Sequence, residues 1–149
     1  MKGTFGSLNV WNVEGVKNSL DHLLGGDRTM VGFITSNTAV HYYSLKPGIP
    51  NPQMMVVGDL EELFVPAPND LLVYLKDSRE PVKNLLDNLP TMFNSNTATE
   101  SCLGPALKTA FTVMKAVGGK MCLFQSSMPT LRRWGHSGTW IGTVDGDAQ

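Results

Sequence analysis

The chain has 149 residues, of which 42% are hydrophobic and 17% are charged, and its formal net charge is −1. This length and composition fit one globular domain with a real core and exclude an intrinsically disordered chain. The near-neutral charge provides no basic footprint for nucleic acid and no general attraction to an anionic membrane, so we expect neither partner.

The first half of the chain predicts a helix, a strand and a hairpin. The helix covers residues 7–24 and ends at Gly25-Gly26, where a left-handed cap is accessible. The segment "RTMVGFIT", residues 28–35, predicts a central strand buried on both faces. Since only two polar residues precede "TAVHYYSL", residues 38–45, we expect that segment to return as an antiparallel hairpin strand. The apolar face of the helix comprises Leu8, Trp11, Val13, Val16, Leu20, Leu23 and Leu24.

The middle of the chain is rich in proline. "KPGIPNPQ", residues 46–53, predicts an irregular loop, and residues 54–75 predict short strands or extended loops. Residues 77–93 predict a helix with Ser78 as its N-cap, and we expect Pro90 to end or kink it. The apolar face of this helix comprises Val82, Leu85, Leu86 and Leu89.

A third helix is predicted over residues 104–117, followed by a glycine stop and a buried strand over residues 120–125. Beyond Arg132 the sequence predicts loops and one short strand over residues 139–144. In the third helix we expect Lys108 and Lys115 to point outward. The inward stripe is predicted to comprise Leu107, Ala110, Phe111, Met114 and Val117.

No motif in the chain predicts catalysis. Gln125, Ser126 and Ser127 follow a strand, where many α/β enzymes carry their chemistry, but no GxSxG turn surrounds the serines. The sequence also lacks a GxxxxGK[ST] phosphate loop and an HExxH metal motif. A small α/β enzyme that uses this loop is therefore the weaker hypothesis, because no base or orienting acid is identifiable.

The cysteines and His41 favour structural roles. Cys102 and Cys122 form no CxxC pair, and we interpret them as two buried thiols of a reducing compartment rather than as a disulfide. His41 lies between apolar and aromatic neighbours in a strand, which favours a hydrogen-bonded structural histidine over a ligand. Tyr42 and Tyr43 are consecutive, so they should point to opposite faces of that strand. The N-terminal sequence has no long apolar stretch, and we expect a soluble cytosolic protein.

Several segments together resemble one family. "RTMVGFIT", "PQMMVVGDLEELFVPAPNDLLVYLKDSR", "LGPALKTAFTVM" and "GGKMCLFQSSMPTL" look like the trunk domain of the cargo-adaptor subunit of the COPII vesicle coat, and the likeness covers residues 6–131. It implies an α/β, von Willebrand A-like fold with a mostly parallel central sheet, helices on both faces and one antiparallel edge strand.

The same resemblance implies a protein-binding scaffold in transport from the endoplasmic reticulum to the Golgi, without catalysis. The implied partners are the sister inner-coat subunit of COPII, cargo and SNARE proteins. The implied location is cytoplasmic, peripheral at the endoplasmic reticulum membrane or on coated vesicles. No short contact motif matches, so no partner-binding residue is assigned.

Three departures from the family pattern shape the remaining expectations. The strand that precedes the first helix in the family is missing, which leaves an open edge beside residues 28–35 and predicts poor stability of the chain alone. Residues 132–149 replace the family's continuation and are expected to be an unrelated, irregular tail that does not join the sheet in the family manner. The family's zinc finger and the DxSxS metal loop are absent, and Asp145 and Asp147 lack partner ligands, so we expect no metal and no cofactor.

Two functional hypotheses remain beside the enzyme. One is a partial coat adaptor that acts by protein contact. The other is a truncated product without function of its own. Charge separation supports the first, because residues 56–99 contain seven acidic and three basic residues, whereas residues 101–133 contain five basic and no acidic residues. Such a distribution is typical of solvated faces and can also orient a partner.

Overall fold

The computed structural model describes residues 10–23, 26–62, 64–94, 101–125 and 144–146. They form a mixed α/β structure. Its helices are α1 (Val10–Leu20), α2 (Pro68–Leu71), α3 (Arg79–Met92) and α4 (Leu103–Met114). Its strands are β1 (Met30–Val31), β2 (Ile34–Ser36), β3 (Val40–Ser44), β4 (Gln53–Val57), β5 (Val73–Tyr74), β6 (Gly119–Met121) and β7 (Val144–Gly146). None of the helices in this described part is long and apolar enough to cross a membrane.

All strand pairs in the described residues are antiparallel, so the predicted mostly parallel sheet is not found there. The largest sheet has the order β2-β3-β4, while β1 pairs with β5 and β6 pairs with β7. The connections explain this outcome, because β2, β3 and β4 follow one another through short loops, and a parallel return needs a long crossover. The predicted hairpin over residues 38–45 is confirmed by β3.

The predicted central strand over residues 28–35 is not continuous, because it divides into β1 and β2 at Gly32. A Cβ at Gly32 would lie 2.6 Å from the main-chain oxygen of Leu71, so only glycine fits this approach without a shift. The chain changes partner at this point, from β5 to β3. Both short strands are half-buried rather than fully buried.

Helices α1 and α3 cover one face of the β2-β3-β4 sheet. Tyr43 of β3 is fully buried against this helical layer, and Val13 of α1, 3% exposed, joins the same core. The predicted inward face of α3 is confirmed, since Val82, Leu85, Leu86 and Leu89 are all buried. Helix α1 ends four residues before the predicted position, and Leu23 is exposed.

Helix α4 covers the opposite face of the sheet. Tyr42 and Val40 pack there with Ala106, which confirms that Tyr42 and Tyr43 point to opposite faces. The predicted inward stripe of α4 is wrong, because Phe111 is 62% exposed and Val117 is 56% exposed. Both sides of α4 are apolar, so the side that packs is decided by its fit to the sheet rather than by hydrophobic spacing. The residues of α4 that are buried instead are Pro105, Ala106 and Thr109.

The connections between these layers differ from prediction in small ways. Residues 54–75 contain β4 and β5 as predicted, but also the short helix α2, which begins after Ala67 in a left-handed conformation (φ 43°). Ser78 occupies the N-cap of α3 without a side-chain cap hydrogen bond, and its carbonyl accepts the hydrogen bond of the Val82 amide at 3.0 Å. Pro90 does not end α3, which continues to Met92.

The predicted buried strand over residues 120–125 is also wrong. Strand β6 covers only Gly119–Met121, and Phe124 beyond it is 53% exposed. Strand β7 pairs with β6, so three residues of the segment predicted to be irregular are extended. The predicted short strand over residues 139–144 coincides with β7 only at Val144, and its other residues lie outside the described part.

Candidate functional site

A chain of three polar side chains lies on the α3-facing side of the sheet. Thr35 of β2 and His41 of β3 are directly paired, and Tyr43 follows on the same face two residues later. The Thr35 hydroxyl lies 3.2 Å from His41 Nδ1 and 2.8 Å from the Tyr43 hydroxyl. His41 is only 6% exposed, and its ring contacts the ring of Phe93 at a centroid distance of 5.3 Å.

Burial keeps this polar chain neutral. It lowers the pKa of His41 from the ordinary value of 6.5, and a hydrogen bond to Thr35 opposes that shift in part. It raises the pKa of Tyr43 to about 12, again with a hydrogen bond to Thr35 acting in the opposite direction. The prediction of a hydrogen-bonded structural His41 is therefore confirmed by its contacts.

A hydroxyl beside an imidazole is also the pairing of nucleophile and base in covalent catalysis. Here the Thr35 hydroxyl is shared with Tyr43, and burial of His41 leaves little room for a substrate. The arrangement is suited to holding β2, β3 and the end of α3 together. Sequence reasoning missed this contact because it arises from strand register, which pairs Thr35 with His41.

The residues singled out for chemistry are not brought together. Gln125 is exposed beyond β6, whereas Ser126 and Ser127 lie outside the described residues. Asp145 belongs to β7, and Asp147 lies outside the described part. Among the residues that the structure describes, no group of three His, Cys, Asp or Glu side chains could hold a metal ion.

Both cysteines are free thiols, but only one matches the predicted burial. Cys102 is fully buried, and its burial raises the pKa of the thiol. Cys122 is exposed, because β6 ends before it and no layer of the described structure covers it. His22 is exposed at the end of α1, and His136 lies outside the described residues.

A surface groove of about 440 Å³ is lined by residues of both α1 and α3. Its floor is apolar and includes Leu20 and Leu75, and its rim is charged. Arg79 donates to Asp21 at 2.9 Å across the groove, and Lys17 of α1 forms an ion pair with Asp87 of α3. The hydrogen bond to Asp87 raises the pKa of Lys17. A charged rim over an apolar floor suits contact with another protein more than turnover of a small molecule.

Exposed apolar side chains also lie elsewhere on the described surface. On β4, Met54 is 43% exposed and Val56 is 54% exposed; on α4, Phe111 is 62% exposed. The outward orientation of Phe111 could have been predicted from the sequence, because Lys108 lies three residues before it and Lys115 lies four residues after it. Residues at that spacing share one helical face, so two outward lysines place Phe111 outward as well.

Comparison with known proteins gives one consistent result. Residues 6–136 match the family model of the Sec23/Sec24 trunk domain. The chain is 51% identical over 116 residues to protein transport protein SEC24 A of Arabidopsis thaliana, covering 78% of this chain and 11% of that protein. It is 44% identical over 113 residues to protein transport protein Sec24B of Homo sapiens, covering 76% of this chain and 9% of that protein.

A solved structure agrees with these relatives. The chain superimposes on the crystal structure of the human COPII-coat protein Sec24c with a TM-score of 0.66 and 35% sequence identity. The superposition covers 74% of this chain and 16% of the Sec24c chain. The chain thus spans about a tenth of the length of the curated relatives it matches. The family model nevertheless covers most of the chain, and we conclude that this chain belongs to the Sec23/Sec24 trunk domain family.

Proposed function

We propose that the chain is part of the trunk of a COPII cargo adaptor and acts as a protein-binding scaffold in transport from the endoplasmic reticulum to the Golgi. The observation that carries this proposal is the match to the trunk family over residues 6–136. A role in vesicle transport is supported by the relatives, which are named protein transport proteins. It is also supported by Sec24c, whose structure is that of a COPII-coat protein.

The described surface is consistent with action by contact rather than by catalysis. The polar chain of Thr35, His41 and Tyr43 is neutral and enclosed, and the groove between α1 and α3 has a charged rim. We therefore propose a role without catalysis, cofactor or metal, at a cytoplasmic site that is peripheral to the endoplasmic reticulum membrane. The sister inner-coat subunit is the proposed partner, with cargo and SNARE proteins as further ones.

Binding to the sister inner-coat subunit tests this proposal. We expect capture of the 149-residue chain at low salt and weaker capture at high salt, because exposed charges are screened as ionic strength rises. The variant Leu86→Asp, which places a charge in the core beside α1, is the negative control. A sample that is folded by circular dichroism but is not captured at low salt would favour the truncated product without function.

We propose in addition that the two helical layers belong to a von Willebrand A-like domain. The placement of α1 and α3 on one face and α4 on the other supports this, as does the likeness to Sec24c. The parallel sheet would require strands beyond those described. An experimental structure of this chain tests the proposal; a sheet that stays wholly antiparallel would contradict it.

The trunk segment is proposed to end at residue 131, with residues 132–149 as a separate tail. Deletion of residues 132–149 tests this boundary. We expect an unchanged melting temperature, because the helices that form the two cores lie before residue 131. The pairing of β6 with β7 connects the two segments, so a clear loss of stability on deletion would place the tail within the domain.

A further inference from the structure

Helix α1 is attached to α3 by few contacts. Among the α1 side chains that the structure describes, only Val13 is buried, while Val16 and Leu20 are half-buried. Helix α3, by contrast, buries five side chains. The ion pairs that Lys17 and Asp21 form with α3 add little to the attachment, because the paired side chains are in contact with water. Of the two helices on this face of the sheet, α1 is therefore the more weakly held.

The residues of α1 also make it a weak helix. Gly15 lies in its middle, where glycine disfavours a helix relative to alanine. No atom outside the adjacent helix backbone and chain neighbours lies within 4 Å of a Cβ built at Gly15, so close packing does not require the glycine. The Ser19 hydroxyl donates to the Gly15 carbonyl at 2.8 Å, and such a bond to the preceding turn slightly destabilises a helix. Both features favour opening of α1.

Helix α3 has contacts with the rest of the fold that do not involve α1. The Asn84 side chain donates to the Pro50 carbonyl, in the loop before β4, at 2.8 Å. The ring of Phe93, at the C-cap of α3, contacts the ring of His41 in the sheet. The apolar side of α3 also shares its core with Tyr43 of β3. Helix α3 can therefore stay on the sheet when α1 leaves it.

The chain that follows α1 determines where an opening of α1 ends. The Leu75 amide donates to the Thr29 carbonyl at 2.9 Å, and β1 pairs with β5 directly after this bond. From Thr29 onward the chain is therefore fixed to a neighbouring strand. Residues 21–23 and 26–28, which precede Thr29, are exposed. A rotation of α1 about this exposed connection leaves every strand pair intact.

Opening of α1 uncovers an apolar strip that fits a helix. Leu75, Val82 and Leu86 line the groove together with Leu20 of α1, and each of the three is exposed by 6% or less. These three residues are the helix site. The apolar side chains with which α1 packs there are spaced by three and four residues, so they lie on one side of a helix. The helix site thus matches a helix with apolar side chains at that spacing.

We propose that α1 is a displaceable helix, and that the helix site binds an amphipathic helix of a partner protein in its place. The partner helix has apolar side chains at the α1 spacing and no glycine in its middle. It carries a cation where Lys17 pairs with Asp87 and an anion where Asp21 pairs with Arg79. Such a helix makes the contacts that α1 gives up and forms more readily than α1 does, so it binds when α1 opens.

The first test is hydrogen exchange of the 149-residue chain, followed for single amides by NMR. We expect the amides of residues 17–20 to be protected about tenfold less, or weaker still, than those of residues 85–89, because α1 opens while α3 stays folded. Equal protection of the two helices would show that they open together and would overturn the proposal. A chain without protected amides in α3 would overturn it as well.

The second test is binding of a synthetic peptide that comprises residues 10–23 with the substitution Gly15→Ala. The peptide is added to the isotope-labelled 149-residue chain. We expect the amide signals of residues 82–86 to shift and the α1 amides of the chain to lose protection, because the peptide takes the place of α1. The matched control is the same peptide with Val13→Asp in addition, which should not bind, since Val13 is the buried side chain of α1.

A variant of the chain itself distinguishes displacement of α1 from binding elsewhere. Gly15→Ala in the chain strengthens α1 and should weaken binding of the peptide. Gly58→Ala, which also adds a methyl group in open space but lies outside α1, should leave binding unchanged. Equal peptide affinity for the Gly15→Ala chain and the parent, or no binding at all, would overturn the proposal. These measurements do not use the coat subunit, so failure here is distinguishable from failure of the proposed function.

Discussion

Gly32 and Leu71 approach so closely that a Cβ at position 32 would lie 2.6 Å from the main-chain oxygen of Leu71, which is closer than van der Waals contact allows. Gly32 lies between β1 and β2, and Leu71 is the last residue of α2. The interruption of the strand is therefore packed against the end of that helix. A local sequence feature, one glycine in an apolar strand, is thus explained by a residue far along the chain.

Substitution of Gly32 by alanine should destabilise the fold. The added methyl group would meet Leu71 O at 2.6 Å, and overpacking of this kind costs about 1–3 kcal/mol. The matched control is Gly15→Ala in α1, where no atom outside the adjacent helix backbone and chain neighbours lies within 4 Å of the new methyl group. Alanine there should stabilise the helix by up to about 1 kcal/mol. Urea denaturation measures both effects, and equal effects at the two positions would contradict the close approach.

Acid should weaken the fold through His41. Its pKa is lowered in the folded protein, so the unfolded chain binds the proton first as pH falls below its ordinary value of 6.5. Stability is then fully present above pH 6.5 and is lost progressively as the pH decreases toward the folded pKa. Urea unfolding at a series of pH values should show this decline.

The variant His41→Gln should flatten that decline, while His22→Gln, at an exposed position, should leave it unchanged. An NMR titration of the His41 ring provides a second measurement, with a midpoint expected below 6.5. A midpoint above that value would show that the ring has a partner for its positive charge.

Truncating a buried side chain of α3 should destabilise the fold much more than truncating an exposed side chain of α4. Leu85→Ala removes a side chain that is 2% exposed and should cost about 2–5 kcal/mol, because it leaves a cavity in the core. Phe111→Ala removes a side chain that is 62% exposed and should change stability by no more than about 0.5 kcal/mol. A loss of several kcal/mol for Phe111→Ala would instead show that Phe111 is buried, as the sequence predicted.

Apolar contact rather than ion pairing should hold α1 on α3. Val13→Ala should cost about 2 kcal/mol, since it removes buried methyl groups at about 0.8 kcal/mol each and leaves a gap. Lys17→Ala breaks the pair with Asp87 but should cost no more than about 1 kcal/mol, because both side chains are in contact with water. Thermal unfolding of the two variants compares the two losses of stability. A larger loss for Lys17→Ala than for Val13→Ala would show that the ion pair is the stronger contact.

Sequence reasoning succeeded where one side of an element is apolar and the other is not. In α3 the predicted inward residues are all buried, because Lys83, Asp87 and Asn88 leave a single apolar side. It failed in α4, where Pro105 and Ala106 on one side and Phe111 on the other are all apolar and only the shape of the sheet selects between them. The break at Gly32 and the contact between Thr35 and His41 depend on long-range approach and on register, which local patterns do not contain.

The main-chain hydrogen bond from the Cys102 amide to the Asn37 carbonyl, 2.8 Å long, has a consequence for synthesis of the chain. Strands β2 to β4 are complete once Val57 has been added, and Leu71 joins their α4-facing side before Cys102 and Ala106 complete its cover. At about 5–20 residues per second, ribosomal elongation leaves Val40 and Tyr42 incompletely covered for roughly 2–10 s. During that interval the nascent sheet offers an apolar face to chaperones or to neighbouring chains, and elongation speed between these points should influence the yield of folded protein.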